Sequence, residues 1–296
     1  MTAPAGRNWI IKSHALGNDY IVVDPAALTF RLTPPAIRLI CDRHLGVGSD
    51  GILALVPSTR GDFGLRVYNP DGSEAEKSGN GLRIFSKFLY DHGHVSTPVF
   101  TVDTPGGVAA IELHLVDGRV DQMTVDVGRA TFMSTEIPVA GPPREVVDEV
   151  IVAGDQALEI TAVSVGNPHC VVFVPDLSLI NLHQLGPLLE THPMFPNRTN
   201  VQFAQVVSRD RVQILIWERG AGETMASGTS ASAVAAASVR EGMVDRSVVV
   251  SAPGGDLRIT VGEDWSVRMT GPASEVYAGT LSNDLVRALT GMGGTR

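Results

Sequence analysis

The sequence predicts an α+β chain of two pseudo-symmetric domains, each a curved, mostly antiparallel sheet wrapped around one central helix. Three observations predict it: a repeat at half the chain length, one apolar helical stretch per half, and short strand-like runs around each stretch. The repeat comes first, because overlooking one misassigns the whole architecture. The segment 16–23 (LGNDYIVV) resembles 165–172 (VGNPHCVV), and Asn167 stands 149 residues after Asn18. The same step carries Ser78-Gly79 to Ser227-Gly228, 67–69 (VYN) to 216–218 (IWE), and Gly51 to Asn200. One register held at all these places marks a duplicated fold, where isolated two-residue matches would not.

The elements follow from spacing. Ile37, Ile40 and Cys41 recur at helical intervals between Pro34 and His44, and a proline in the first turn gives up an N–H that no helix bond needs. Leu82, Phe85, Phe88 and Leu89 form one face of a second helix, which Gly93 ends. The stretch 231–239 is so rich in Ala and Val that it has no polar face, which places it inside a core. The runs 65–68, 99–102, 120–127, 212–217, 248–251 and 266–269 are short, apolar or alternating, and bounded by turn residues, as strands are. Gly141-Pro142-Pro143 falls between the halves and reads as a linker. The expected domains are 1–135, with 272–296 packing back on it, and 136–271.

Composition narrows the function. With 296 residues and 44% apolar content there is material for two cores. A net charge of −9, with the charges scattered, offers no basic face to a phosphate backbone, so no nucleic-acid partner is expected. Residues 1–12 lack a basic leader with an apolar core, and no later run reaches the ~18 apolar residues of a membrane span. A cytoplasmic chain without a membrane partner is expected. Cys41 and Cys170 sit among apolar neighbours and read as buried free thiols. There is no H-E-x-x-H, so no metal is expected, and His92 and His94 read as solvated loop residues. The run 46–51 (GVGSDG) matches G-x-G-x-x-G but follows a helix and precedes a strand, the reverse of a dinucleotide-binding turn, so no cofactor is expected. No G-x-S-x-G elbow supports a serine hydrolase.

Ser78-Gly79-Asn80 and Ser227-Gly228-Thr229 each stand where a loop becomes a helix. The first N–H groups of a helix lack intrahelical partners and, with the dipole, suit a carboxylate, while glycine lets a ligand come close. Serine is also among the best N-cap residues, so capping alone accounts for either one taken singly. If the two starts face each other across a cleft, the residues before them flank an α-carbon on opposite sides, as a two-base epimerase requires. The carbanion would spread onto the carboxylate held by the helix N–H groups. Asn18 and Asn167 follow glycines and precede strands, where a turn role is open to each. Glu218 and Arg219 end an apolar strand, and a buried charged pair there favours a ligand site.

The segments 12–24 (KSHALGNDYIVVD), 42–53 (DRHLGVGSDGIL), 68–83 (YNPDGSEAEKSGNGLR), 165–172 (VGNPHCVV), 195–203 (FPNRTNVQF) and 218–229 (ERGAGETMASGT) resemble, in order, the successive motifs of the diaminopimelate epimerase family. The resemblance implies pyridoxal-phosphate-independent epimerisation of LL- to meso-diaminopimelate, on the route to lysine and peptidoglycan precursors, by a homodimer. It implies a catalytic pair at 78 and 227, and substrate contacts at Asn18, Asn69, Asn167, Asn200, Glu218 and Arg219. It also implies main-chain carboxylate contacts from Gly79, Asn80, Gly228 and Thr229. The family carries cysteine at both catalytic positions and usually Gln at the position of Gly51. A thiol has an ordinary pKa of about 8.5, lowered further at a helix start, whereas a serine hydroxyl needs a neighbouring base. His14 and His169 are the candidate bases. The expectation is weak or absent epimerisation as the chain stands. The alternatives are a divergent relative (another racemase, a dehydratase or an allylic isomerase) and a binding protein that keeps the pocket.

Overall fold

The computed structural model describes residues 6–293, so the reading of 1–12 as leader-free and the tail of the closing segment 272–296 lie partly outside the described residues. The chain divides into two units. One runs to Val125 and takes in the chain from Pro272 onward; the other is Asp126–Gly271.

In the first unit β1 (Trp9–Ala15) pairs antiparallel with β2 (Asn18–Val23), and β2 pairs parallel with β3 (Ile52–Val56) through a crossover containing α1 (Pro34–Cys41). β4 (Phe63–Tyr68) runs antiparallel to β3 and meets the short β5 (Glu74–Ala75). After α2 (Gly79–Asp91), β6 (Val99–Thr104) returns parallel to β4 and continues into β7 (Gly107–Val116) and β8 (Arg119–Arg129) as antiparallel neighbours. Helix α2 buries Leu82, Ile84, Phe85, Phe88 and Leu89. Taking each such side chain out of water stabilises by about 1.5–3 kcal/mol, which is why the sheet closes around this helix.

The second unit repeats the plan with β9 (Glu149–Ala153), β10 (Gln156–Ser164), β11 (Pro168–Phe173), α3 (Leu182–Glu190), β12 (Asn200–Ser208), β13 (Arg211–Glu218), β14 (Gly222–Glu223), α4 (Gly228–Arg240), β15 (Ser247–Ala252), β16 (Gly255–Val261) and β17 (Ser266–Gly271). The register repeats as well. Ile21 pairs with Ile52 and Cys170 with Val201; Ile52 pairs with Tyr68 and Val201 with Trp217. Each of these positions is shifted by the same 149 residues, and α4 begins and ends 149 residues after α2. Helix α4 is buried along most of its length, as its Ala and Val content requires. The α+β reading, with the sheet of each half wrapped around a central helix, is therefore the observed fold.

One strand is exchanged in the chain order. In the second unit β9 lies against β10, whereas in the first the matching place beside β1 is taken by β18 (Ser274–Thr280), from Trp9↔Thr280 to His14↔Ser274. The closing helix α5 (Asn283–Gly293) then packs on α1.

Three local expectations are corrected. Residues 126–135 belong to the second unit, not to the first, because the Ala130 N–H donates to Trp265 O (2.9 Å) and Thr131 bridges to Ser164. Gly141-Pro142-Pro143 is no linker but a turn inside that unit: the Ser134 N–H donates to Arg144 O and the Arg144 guanidinium to Pro142 O. Gly and Pro mark a turn, and that signal is the same for a linker and for an internal loop. His92 and His94 are not solvated; their rings lie 5.4 and 4.9 Å from that of Phe88, and His92 Nε2 is 2.8 Å from Glu275 Oε2 on β18.

Candidate active site

Ser78 and Ser227 are the N-caps of α2 and α4, with matching extended backbones (φ −136°, ψ 119° and φ −142°, ψ 124°). Ser78 Oγ accepts the Gly81 N–H at 3.0 Å, and Ser227 Oγ accepts the Ser230 N–H at 3.4 Å. Gly79 and Asn80, like Gly228 and Thr229, thus contribute first-turn N–H groups of the kind that carry the positive end of the helix dipole. The only side chains hydrogen-bonded to the serines among the described residues are hydroxyls: Tyr20 Oη lies 3.3 Å from Ser78 Oγ, and Thr229 Oγ1 lies 3.4 Å from Ser227 Oγ.

Neither expected base fills that role. His14 Nδ1 accepts the Gly17 N–H in the β1–β2 turn. His169 is wholly buried, with Nε2 2.9 Å from Asn167 Oδ1 and Nδ1 3.2 Å from Gln202 Oε1. Burial pushes its pKa down to about 3. A neutral imidazole has one N–H, so one of the two amides turns its NH₂ to the ring. Gln202 Nε2 in turn donates to Ser230 Oγ at 3.0 Å, in the first turn of α4.

Around Ser78 the first unit sets up a chain of side chains. Arg83 donates to Asn80 Oδ1 (2.9 Å), Asn80 Nδ2 to Asn18 Oδ1 (3.0 Å), and Asn18 Nδ2 to Asp50 Oδ2 (2.9 Å). Arg83 is donor-only and Asp50 acceptor-only, so both amides between them have their orientation fixed. Arg83 is fully buried, and desolvation lowers its pKa to about 10, which leaves it cationic at neutral pH. At the other end Asp50 and Asp19 share Arg43, and Asp19 also pairs with Lys12. Burial alone would raise the Asp19 carboxyl, but hydrogen bonds from Arg43 and Lys12 outweigh it and hold the group down to about 2.

The remaining candidates are placed less uniformly. Asn69 closes its own turn, with Nδ2 on Ser73 Oγ at 3.0 Å. Asn200 is buried, donating to Pro168 O and accepting the Arg219 N–H. Glu218 accepts from Thr224 Oγ1 at 3.2 Å. The expectation of a buried Glu218–Arg219 pair is corrected: Arg219 is exposed and reaches Asn197 O, because β13 ends at Glu218 and the chain turns outward. Gly51 has φ +159°, and a Cβ there would stand 2.4 Å from Tyr68 O and 2.8 Å from Tyr20 Cε1. The Tyr20 ring thus lies against the space where a side chain at 51 would begin.

Sequence reasoning passed over Tyr20, Asp50, Arg83 and Gln202. Arg83 carries a signal, a charge set between Leu82 and Ile84 in an apolar helical stretch. Tyr20 carries another, the register position that matches His169. Cys41 and Cys170 are buried and free, and burial raises both thiols, that of Cys170 to about 12. Neither offers a thiolate. Among the described residues no group of three His, Cys, Asp or Glu is arranged to hold a metal ion, and no helix is long and apolar enough to cross a membrane.

Solved structures share this duplicated architecture. A probable proline racemase from Agrobacterium radiobacter K84 matches at TM-score 0.69 and 16% identity, covering 93% of each chain. A phenazine biosynthesis protein of the PhzF family from Bacillus anthracis matches at 0.66 and 17%, covering 93% of this chain and 98% of that one. At such identities the likeness defines the fold class only. Sequence comparison goes further. The diaminopimelate epimerase family model matches residues 10–133 and 161–276. "Diaminopimelate epimerase 2" of Nostoc sp. is 47% identical over 93% of this chain and 95% of its own. The diaminopimelate epimerase of Pelotomaculum thermopropionicum is 46% identical over 90% and 96%. The chain belongs to the diaminopimelate epimerase family, a family of isomerases.

Proposed function

We propose that this protein binds diaminopimelate in a two-base epimerase framework and moves the α-proton slowly, because Ser78 and Ser227 stand where the resemblance implies cysteines. The observation that supports it is the matched pair of helix starts, alike in offset, backbone and capping side chain. In this reading the substrate carboxylate accepts from the main-chain N–H groups of Gly79, Asn80, Gly228 and Thr229. One serine side takes the α-proton and the other returns one to the opposite face. The electron pair of the broken C–H bond moves onto the carboxylate as an ene-diolate, where the helix N–H groups stabilise it. Asn18, Asn69, Asn167, Asn200, Glu218 and Arg219 hold the substrate, including its second amino-acid head group. The step needs no pyridoxal phosphate, nucleotide or metal, and the working form is a cytoplasmic homodimer.

The test is reversion. Ser78→Cys with Ser227→Cys is expected to raise LL-to-meso conversion to a rate ordinary for enzymes, ~1 per second or faster. Each single reversion should recover little, since the two groups act as a unit. Calorimetry on the unaltered chain should show meso- or LL-diaminopimelate binding better than alanine or proline. A second reading, a binding protein that keeps the pocket, is favoured by the hydroxyl partners of both serines, Tyr20 Oη and Thr229 Oγ1, which are weak bases in their neutral form. It predicts diaminopimelate binding with no gain on double reversion, whereas equal or absent binding points to a divergent relative.

A further inference from the structure

We infer that Tyr20 is the proton-accepting partner of Ser78, and that the absence of a side chain at Gly51 is what lets its ring reach that serine. The inference rests on the epimerase reading above. Tyr20 is 7% exposed and its Oη lies 3.3 Å from Ser78 Oγ. Either hydroxyl can donate in this bond while the phenol is neutral; once the phenol is ionised only Ser78 can, and its oxygen, which accepts the Gly81 N–H on one lone pair, keeps the other for the substrate. When the phenol is ionised, Ser78 Oγ takes the α-proton and passes its hydroxyl proton to the phenolate oxygen. The C–H electron pair goes to the substrate carboxylate, and the net change is one proton moved from carbon to Tyr20. A phenol, with an ordinary pKa of about 10, is a far stronger acid than an alcohol, so this pair reaches a basic form that a lone serine does not.

Gly51 and Tyr20 form one device. A Cβ at 51 would stand 2.8 Å from Tyr20 Cε1 and 3.2 Å from Cδ1, with Tyr68 O at 2.4 Å behind it, so the ring could not stay. The matching pair in the second unit is Asn200 and His169, and there the imidazole bonds to amides, while among the described residues the side chain hydrogen-bonded to Ser227 Oγ is a threonine hydroxyl. The two halves therefore differ among the described residues: Ser78 Oγ is hydrogen-bonded to a phenol and Ser227 Oγ to an alcohol. The titratable and charged groups on the elements that touch β2 and on the segments leading into them are Lys12 and His14 on β1, Asp19 on β2 itself, Arg43 and Asp50 ahead of β3, Lys77 ahead of α2, and Arg83, Lys87, Tyr90 and Asp91 on α2, with Tyr68 on β4 beside Gly51. Lys12, Asp19, Arg43 and Asp50 are bonded among themselves, and Arg83 is held by Asn80 and main-chain oxygens.

The test is deuterium uptake at the α-carbon of diaminopimelate stereoisomers in heavy water, followed from about pH 7 to about pH 11 around the ordinary phenol pKa. The unaltered protein is expected to label only the isomer that presents its α-hydrogen to Ser78. Its rate should climb about tenfold per pH unit until the phenol is ionised. Tyr20→Phe, which keeps the ring and removes Oη, should lose that limb and fall about 100-fold. Gly51→Ala should fall alike. Ser78→Cys placed on Tyr20→Phe should restore uptake at neutral pH, because a thiolate needs no phenolate behind it. Should Tyr20→Phe fail to fold, fluorotyrosine at position 20 serves instead and should move the limb to lower pH. An unchanged rate and profile in Tyr20→Phe or with fluorotyrosine, or bound diaminopimelate that takes up no deuterium at any pH, overturns the inference alone. Absence of diaminopimelate binding overturns it together with the epimerase reading.

Discussion

Arg83 shows how much a single side chain organises. It is buried, cationic and bonded to Asn80, Gly79 O and Pro272 O, and through Asn80 it sets the orientation of Asn18, which lies 62 residues from Asn80 in the chain. Arg83→Met leaves those acceptors buried without the donor and is expected to cost about 3 kcal/mol, seen as a lower denaturation midpoint with unchanged slope. Arg83→Lys should recover only part, since an ammonium has no planar fork with which to serve several acceptors at once. The cysteines allow a simpler measurement. A thiol reagent should leave Cys41 and Cys170 untouched in the native protein and titrate both after unfolding, because burial blocks access and disfavours both thiolates.

The helices carry a trade between chemistry and stability. Ser78 and Ser227 satisfy an orphan N–H at the starts of α2 and α4, and a sulfur in the same place is a poorer acceptor. The double cysteine reversion should therefore gain turnover and lose about 1 kcal/mol per helix, measurable by thermal unfolding at fixed pH. The other end of α4 is pH-sensitive. Glu241, its C-cap, accepts from Thr161 Oγ1 at 2.6 Å; burial, with Asp148 and Glu159 nearby, pushes its carboxyl up to about 7. A raised carboxyl binds more protons folded than unfolded, so this contribution is intact below its ordinary pKa of 4.5 and is lost as pH rises to about 7. Glu241→Gln should flatten that limb and stabilise the protein above pH 7 by about 1 kcal/mol, allowing for solvent screening of a half-exposed group.

At the scale of the molecule, each unit needs a strand on the outer side of its first hairpin. The second unit draws β9 from just upstream, but the first must wait for β18, the last strand of the chain. Ending the chain at Gly271 strips β1 of that partner and removes α5 from α1, so the first unit should unfold while the second keeps its exchange-protected amides. A reading in which both units lose protection together would contradict this. The second unit has its own acid limb. The His169 pKa is depressed by burial, so its contribution is intact above the ordinary value of 6.5 and falls away as pH drops to about 3.

Much of the fold was legible because the duplication writes the same register twice: Ser78 and Ser227, the helices they begin, and the paired strands around them all follow a step of 149 residues. Periodicity placed the buried face of α2, and composition placed α4 in a core, since both are local properties of the chain. Local signals failed where one residue pattern serves two structures, as Gly141-Pro142-Pro143 does for a linker and an internal turn. They failed too for His92 and His94, which are loop residues by sequence, but His92 meets Glu275 on a strand from the far end of the chain and His94 lies against the Phe88 ring. The tertiary structure alone decided which side chains meet: Asn80 with Asn18, His169 with Gln202, Tyr20 with Ser78 where the Tyr20 ring lies against Gly51. Such contacts join residues far apart in sequence, and their geometry depends on how strands and helix close around one another, which no local spacing encodes.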